Sequence, residues 1–264
     1  MAHPLPLLHW VWIMFYFNLA NSWPLDTLSI QSRIEGGSDC LKYKHNWMVL
    51  VANSNSVKCG GVLLPLQWVL TSAYCEHLLG DEVWLGRHNL EEFEPEAQAA
   101  RISHVFAHPL FNSSNFFTGV KDVRHNLMLL RPAAPASSTP GAPPVEHLLH
   151  LGLGSDESFT AHAWSDRTGS PHGWPESGSL QCWDVEVLPF NGVLERGFML
   201  WAGNLDGFRD TCVGDSGAPL LCDGMLQGIM ASTSDYCTYR DTQSIYAKVS
   251  PHLGWIRATM DALP

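Results

Sequence analysis

The sequence predicts an all-β protein that ends in one helix. Short apolar segments of strand length recur after residue 34, and Gly, Pro, Asn and Asp turns separate them. Apolar residues recur at helical spacing only near the C-terminus. The chain has 264 residues, of which 45% are hydrophobic, and this is enough to bury a sizeable core.

The predicted strands follow one another along most of the chain. They cover residues 47–52, 59–64, 68–73, 82–86, 126–131, 183–188, 225–230 and 244–249. The predicted helix begins at Ser250 and Pro251, which are typical of a helix start. Its apolar face consists of Leu253, Ile256, Met260 and Leu263.

The middle of the chain contains a segment typical of an extended linker. Residues 132–146 include the run PAAPASSTPGAPP, which is rich in Pro, Ala and Ser and has no apolar period. The sequence therefore predicts two β domains, at residues 34–131 and 147–264.

The N-terminus carries the pattern of a signal peptide. Residues 5–19 form an apolar block, and the small-residue pattern ANS follows and ends at Ser22. We therefore predict a signal peptide at residues 1–22, secretion, and no membrane association after cleavage. Only His3 precedes the block where a Lys or Arg is usual, so an uncleaved anchor remains the alternative.

Charge argues against two classes of partner. The net charge is -11 with only 15 Lys and Arg residues, whereas nucleic acids and anionic membranes favour basic surfaces. We expect neither partner.

The cysteine pattern is typical of an oxidising compartment. The chain has seven cysteines without the paired CxxC spacing of a zinc site, so most are expected in disulfides and at least one lacks an internal partner. His104 and His108 lie too far apart on a strand to share a metal, and we expect no metal site and no cofactor. Asn112 begins an N-glycosylation sequon and is expected on the surface.

The segment DTCVGDSGAPLLC, residues 210–222, raises the question of whether Ser216 is a nucleophile. A serine needs a neighbouring base and a pair of oxyanion donors. Together with RIEGG, CGGVLLPLQWVLTSAYC and VWLGRHNL, this segment resembles trypsin-like serine proteases of the tissue-kallikrein group, from Ile34 to the C-terminus. The resemblance implies two packed six-stranded antiparallel barrels with the active site in the cleft between them.

The same resemblance places other residues at two positions of the catalytic triad. Tyr74, in SAYC, stands where the family has the histidine base, and Asn126, in HNLMLL, stands where it has the orienting aspartate. A neutral phenol cannot shuttle a proton between two nitrogens, and an Asp-to-Asn change alone lowers kcat about 10⁴-fold in the well-studied protease triad. His77 and His125, the nearest histidines in sequence, are interpreted as ordinary surface or cleft residues.

Other parts of the family site are retained. The resemblance implies cleavage between Arg33 and Ile34, with residues 23–33 as propeptide, so that the new Ile34 ammonium pairs with Asp215. It also implies that the backbone N–H groups of Gly214 and Ser216 form the oxyanion hole.

The specificity pocket is retained in part. Asp210 matches the carboxylate that binds Arg or Lys side chains, but Ala231, Ser232 and Thr233 replace the Ser-Trp-Gly beside it. Ala218 replaces a glycine of the nucleophile motif, and a distorted loop is expected there because a Cβ disfavours some backbone shapes.

The resemblance also implies a disulfide pattern. It pairs Cys40 with Cys182, Cys59 with Cys75, and Cys212 with Cys237. The usual partner of Cys222 falls near Phe159, so Cys222 is the predicted odd thiol and is expected to be buried. An intermolecular disulfide is the alternative.

These observations favour a secreted, monomeric homologue that binds a protein or peptide, a protease inhibitor or a receptor rather than cleaving it. Two alternatives remain. One is a weak serine endopeptidase that prefers Arg or Lys, and the other is a relaxed gene product whose fold is decaying.

Overall fold

The computed structural model describes residues 38–53, 56–75, 81–112, 123–134, 159–164, 178–188, 195–203, 215–232 and 244–263. These residues belong to one compact unit that spans residues 33–264. The strands are β1 (Ser38–Asp39), β2 (Met48–Asn53), β3 (Ser56–Leu64), β4 (Trp68–Thr71), β5 (Glu82–Leu85), β6 (Gln98–Ala107), β7 (Met128–Pro132), β8 (Phe159–Ala163), β9 (Gln181–Val187), β10 (Met199–Gly203), β11 (Pro219–Cys222), β12 (Met225–Ser232) and β13 (Ser244–Lys248). The helices are α1 (Glu195–Phe198) and α2 (Leu253–Ala262).

The first six-stranded barrel is closed and antiparallel, with the order β2-β3-β4-β7-β6-β5. Closure pairs β2 with β5, where Val49 lies opposite Leu85 and Val51 opposite Val83. A closed barrel leaves no strand edge unpaired, so each strand satisfies the backbone groups of its neighbours.

Both faces of β2, β4 and β7 are largely buried, which explains their continuous apolar runs. In β2, Val49 and Val51 belong to the barrel interior, together with Val69 of β4 and Met128 of β7. The alternating residues of the same strands belong to a second core cluster that also takes in β12, β13 and α2. Side chains alternate along a strand, so one strand can contribute to both cores.

The second barrel contains β8 to β13. The hydrogen-bonded order is β9-β10-β13-β12-β11-β8, and β8 pairs again with β9 to close the ring, while β1 joins at the edge of β9. Trp183, Leu220, Met230 and Tyr246 are among the residues of its interior. The predicted pair of six-stranded barrels is confirmed.

The C-terminal helix is also confirmed. A 3-10 turn at Ser250–His252, with Pro251 in its first turn, leads directly into α2. Leu253, Ile256 and Met260 are buried against the core cluster between the barrels. No helix in the described part of the chain is long and apolar enough to cross a membrane.

Two of the predicted disulfides are present, Cys40–Cys182 and Cys59–Cys75. The third predicted pair, Cys212–Cys237, lies outside the described residues. Cys222 is buried and lies directly opposite Phe159 in the β8–β11 pair. The predicted linker at residues 132–146 also lies outside the described residues, apart from its first three positions.

The strand assignment from sequence omitted several strands. Among these are β8, β10 and β11, which have only four or five residues each. The distortion expected at Ala218 is not observed: the φ of Ala218 is not positive, its N–H donates to the Asp215 carbonyl, and its carbonyl accepts from Met230.

Candidate active site

The three residues that the sequence predicts at the triad positions lie on different elements of the fold. Tyr74 is in the 3-10 turn Ala73–Cys75 after β4, and Asn126 is in the turn that leads into β7. Ser216 lies in the turn before β11 of the second barrel. Two positions therefore belong to the first barrel and one to the second.

Backbone hydrogen bonds fix the Ser216 turn between the barrels. The Gly60 N–H of β3 donates to the Ser216 carbonyl at 2.8 Å, and the Gly217 N–H donates to the Met230 carbonyl at 2.9 Å. Thr71 donates its hydroxyl to the Gly60 carbonyl at 2.7 Å. The nucleophile position is thus held by strands of both barrels.

Asn126 is completely buried, and its side-chain amide is bonded at both ends. Its Oδ1 accepts from the Tyr74 N–H at 2.8 Å and from the Ser72 hydroxyl at 2.9 Å. Its Nδ2 donates to the Ala231 carbonyl of β12 at 3.2 Å. A buried amide without partners would cost about 1–3 kcal/mol, and this cost is avoided here.

These bonds determine which way the Asn126 amide faces. The reversed orientation would place Nδ2 against the Tyr74 N–H, so that two donors meet, and Oδ1 against the Ala231 carbonyl, so that two acceptors meet. Asn126 therefore presents a donor to β12, where a carboxylate would present a second acceptor.

Tyr74 has 53% of its surface exposed. Its backbone is fixed by Asn126 and Ser72, so the aromatic side chain projects from an ordered turn. Among the described residues, no hydrogen bond to the Ser216 hydroxyl is found, and Ser216 is half-buried. The described residues hold the Ser216 turn in place and place no base in hydrogen-bond contact with the serine hydroxyl; His77 lies outside the part of the chain that the structure describes.

Some of the remaining predicted site residues are described by the structure, and the others lie outside its described residues. Asp215 and Ala231 are buried, and Ser232 ends β12. Asn112, the sequon residue, is exposed. The activation, oxyanion and pocket predictions for Arg33, Ile34, Asp210, Gly214 and Thr233 lie outside the described residues.

The family of the chain follows from comparison with known proteins. A family model described as Trypsin matches residues 34–256. The chain belongs to the trypsin family. Human Kallikrein-2 is 39% identical over 249 residues, which are 89% of this chain and 92% of the relative. Glandular kallikrein of Sus scrofa is 39% identical over 248 residues, 89% of this chain and 99% of the relative.

A solved structure gives the same family relationship. Neuropsin, described as a serine protease expressed in the limbic system of mouse brain, matches with a TM-score of 0.72 and 31% identity, over 85% of this chain and 98% of its own. The chain is thus a kallikrein-like serine protease homologue, and the resemblance inferred from its motifs is confirmed.

A group of three histidines lies beside the triad positions of this trypsin-family chain. The ligand nitrogens of His108, His125 and His252 all lie within 4.8 Å of one another. His252 Nδ1 donates to the Lys248 carbonyl at 2.7 Å, so in the neutral ring His252 Nε2 accepts from His125 Nδ1 at 3.0 Å. Imidazole nitrogens are ligands that Zn²⁺ and Cu²⁺ prefer, and the three nitrogens of this group lie within 4.8 Å of one another.

Sequence spacing did not identify this group. The sequence argument considered His104 with His108 along one strand, whereas the pairing of β6 with β7 and the docking of the C-terminal segment bring together three histidines distant in sequence. His125 is half-buried, which agrees with its interpretation as a surface or cleft histidine. Its ring stacks on His108 and contacts His252, and these contacts hold it against the C-terminal segment.

Acid is expected to weaken the folded protein through this group. Burial lowers the pKa of His108 to about 4, with repulsion from His252 and His125 acting in the same direction, and burial also lowers the pKa of His252. The unfolded chain then binds protons first, so stability present above about pH 6.5 is lost as the pH falls towards 4. Urea midpoints measured between pH 7.5 and pH 4 check this.

Matched histidine variants test whether His108 and its neighbours cause the loss of stability in acid. His108→Asn keeps an acceptor for the Leu110 N–H but removes the titrating ring, and it is expected to flatten the pH dependence. His104→Gln changes an exposed histidine and is expected to leave it unchanged. A pH dependence equal in all three proteins would contradict the assignment.

Proposed function

We propose that this chain is a secreted kallikrein-like homologue that does not hydrolyse peptides and acts by binding. The observation that carries the proposal is the buried Asn126 amide, which is bonded to Tyr74, Ser72 and Ala231. The bond to the Ala231 carbonyl requires an amide rather than a carboxylate, whereas the Tyr74 N–H and the Ser72 hydroxyl could donate to either. This bond supports a site adapted to the replacement of the triad rather than one that has lost a residue at random.

The second support comes from the position of the missing base. A serine nucleophile requires a base within about 2.6–3.2 Å of its hydroxyl. Tyr74 carries no imidazole. His125, the histidine that precedes Asn126 in the chain, forms a hydrogen bond with His252. The Ser216 turn is otherwise ordered as a nucleophile turn would be, which favours a retained scaffold without proton transfer.

Secretion is supported by the apolar block at residues 5–19 and by two disulfides, which persist in oxidising compartments. The decaying-gene alternative fits less well. The buried Asn126 amide has all its partners, both barrels close, and the cores contain few buried polar groups without partners among the described residues.

Reaction with a fluorophosphonate probe tests the lack of catalysis, because this probe modifies only an activated serine. The protein is activated by cleavage after Arg33, incubated with the probe and compared with Ser216→Ala. We expect the parent protein and Ser216→Ala to be labelled equally, at the background level. Labelling that Ser216→Ala abolishes would instead support the alternative function, a weak endopeptidase.

Benzamidine titration tests the binding half of the proposal. Asp210 matches the family carboxylate that binds basic side chains, so the cleft is proposed to take a cationic group of a peptide or protein ligand. Weak benzamidine binding is expected, and at least about a tenfold loss in Asp210→Asn. Binding that Asp210→Asn leaves unchanged would place the cation site elsewhere.

A further inference from the structure

Two histidines surround the disulfide that joins the N-terminal segment to the second barrel. Cys40 follows β1, and Cys182 lies in β9. His45 Nε2 lies 3.7 Å from Cys182 Sγ, and His162 of β8 lies directly opposite Cys182 in the β8–β9 pair. The two imidazole ring centroids are 4.8 Å apart. We call these four residues the Cys–His cluster.

Two polar groups of the Cys–His cluster lack a hydrogen bond of good geometry. The Nδ1 atoms of His45 and His162 are buried and have no such partner among the described residues, while the backbone at Leu41 and at Thr160 interacts with the two rings. His162 is only 4% exposed. A poorly satisfied buried polar group costs free energy, up to about 1–3 kcal/mol when it has no partner at all.

The two imidazole rings of the Cys–His cluster lie against an aromatic side chain. Trp47 packs edge-on against both rings and shields the cluster from water on that side.

The ligand atoms are close enough for one metal ion. Those of Cys40, His45 and Cys182 all lie within 4.8 Å of one another. In a tetrahedral zinc site, Zn–S bonds of about 2.3 Å and Zn–N bonds of about 2.0–2.1 Å put ligand atoms roughly 3.3–3.8 Å apart. Small side-chain rotations of these three residues therefore suffice once the sulfur–sulfur bond is open. His162, whose ring centroid lies 4.8 Å from that of His45, does not belong to this close group and would have to turn towards the sulfurs to supply a fourth ligand.

We propose that reduction of Cys40–Cys182 converts the Cys–His cluster into a zinc site with ligands Cys40, Cys182, His45 and His162. The reductant is a dithiol. It passes two electrons and two protons to the cysteine sulfurs, so their bond breaks and two thiols form, while the dithiol becomes a disulfide. Zn²⁺ then replaces the two thiol protons, which are released to solvent.

The metal would preserve a crosslink that reduction removes. In an oxidising compartment the disulfide persists and the site stays closed. Where the chain meets a reductant, Zn²⁺ would keep β1 joined to the second barrel. Cys182 and His45 are half-buried, which gives a small dithiol access from that side. This inference goes beyond the proposed binding function and does not depend on it.

The other described disulfide provides an internal comparison. Cys59–Cys75 is buried, and no histidine groups with it among the described residues. After reduction, the Cys59–Cys75 pair would therefore offer two thiolates and no imidazole, whereas the Cys–His cluster would offer both.

Cobalt titration tests the proposal, because Co²⁺ replaces Zn²⁺ and its thiolate complexes absorb light. The protein is reduced with an immobilised dithiol, filtered without oxygen and titrated with Co²⁺ and then with Zn²⁺. The His108→Asn background removes the other histidine group. One equivalent is expected to give thiolate-to-cobalt and tetrahedral bands, which Zn²⁺ abolishes, and Zn²⁺ is expected to raise the melting temperature of the reduced protein.

Variants decide which residues hold the metal. His45→Gln and His162→Leu are each expected to weaken Co²⁺ binding at least about tenfold, and Cys40→Ser with Cys182→Ser to abolish the bands. His104→Gln is the control and should bind as the parent does. Bands that survive all the histidine variants, equal binding by the oxidised protein, or a reduced chain that stays unfolded with Zn²⁺ would each overturn the proposal.

Discussion

The triple variant Tyr74→His, Asn126→Asp, Ala231→Ser is expected to hydrolyse a peptidyl-arginine amide about 10²–10⁴-fold faster than the parent, which is the usual contribution of general acid–base catalysis. The Ser216 turn is already held by Gly60. The variant supplies the base and the carboxylate that orients it. The change at position 231 adds a hydroxyl donor on the strand that contacts residue 126.

The third replacement follows from the structure. In Asn126→Asp alone, one carboxylate oxygen would face the Ala231 carbonyl, where the amide now donates, inside a fully buried site. This single variant is expected to lose roughly 1–3 kcal/mol of stability, measured by urea unfolding. A serine at position 231 is expected to recover part of that loss.

Two controls accompany the rate measurement. Adding Ser216→Ala to the triple variant should return the rate to that of the parent. A triple variant that folds but gains no activity would contradict this account, and it would point to Ser232 and Thr233, the predicted pocket residues, as the cause.

Gly217→Ala is expected to destabilise the protein by roughly 2–5 kcal/mol, because it combines backbone strain with overpacking. The φ of Gly217 is +88°, which L side chains rarely adopt, and a Cβ there would meet the Gly60 carbonyl oxygen and the Thr71 hydroxyl. Gly60 lies in β3 and Thr71 in β4, at the place where these strands contact the Ser216 turn. Relief of the contact would have to disturb both barrels.

Gly254→Ala is the matched control for Gly217→Ala. Gly254 lies in α2, and a Cβ there meets nothing within 4 Å. Helix propensity predicts a gain of up to about 1 kcal/mol. The comparison uses urea midpoints and intrinsic fluorescence for both variants. Equal losses of stability would show that the tight crossing at Gly217 carries no special cost.

Local patterns in the sequence were sufficient for the strands with long apolar runs and for the C-terminal helix. Residues 48–51 of β2 are apolar because both faces of that strand are buried, and Leu253, Ile256 and Met260 repeat because one face of α2 is buried. Strands such as β11 escaped prediction because four residues contain too little periodicity.

The family could be recognised from motifs, since each motif is a matter of residue identity at a known place in a run, and the same motifs predict the triad replacements. The hydrogen bonding that results from those replacements could not be recognised from motifs. Whether the Asn126 amide finds partners depends on Ala231, which lies 105 residues away and in the other barrel.

The sequence by itself determined the all-β class, the terminal helix and the family, whereas the assignment of Tyr74 and Asn126 to two triad positions stays a prediction. Each of these depends on neighbouring residues, whose spacing is set by strand and helix geometry. Only the tertiary structure decided the bonding of Asn126, the grouping of His108, His125 and His252, and the placement of His45 and His162 beside Cys40–Cys182. Strand pairing and the packing of the two barrels and the C-terminal segment make these contacts between distant segments, and no local pattern records which distant side chains will meet.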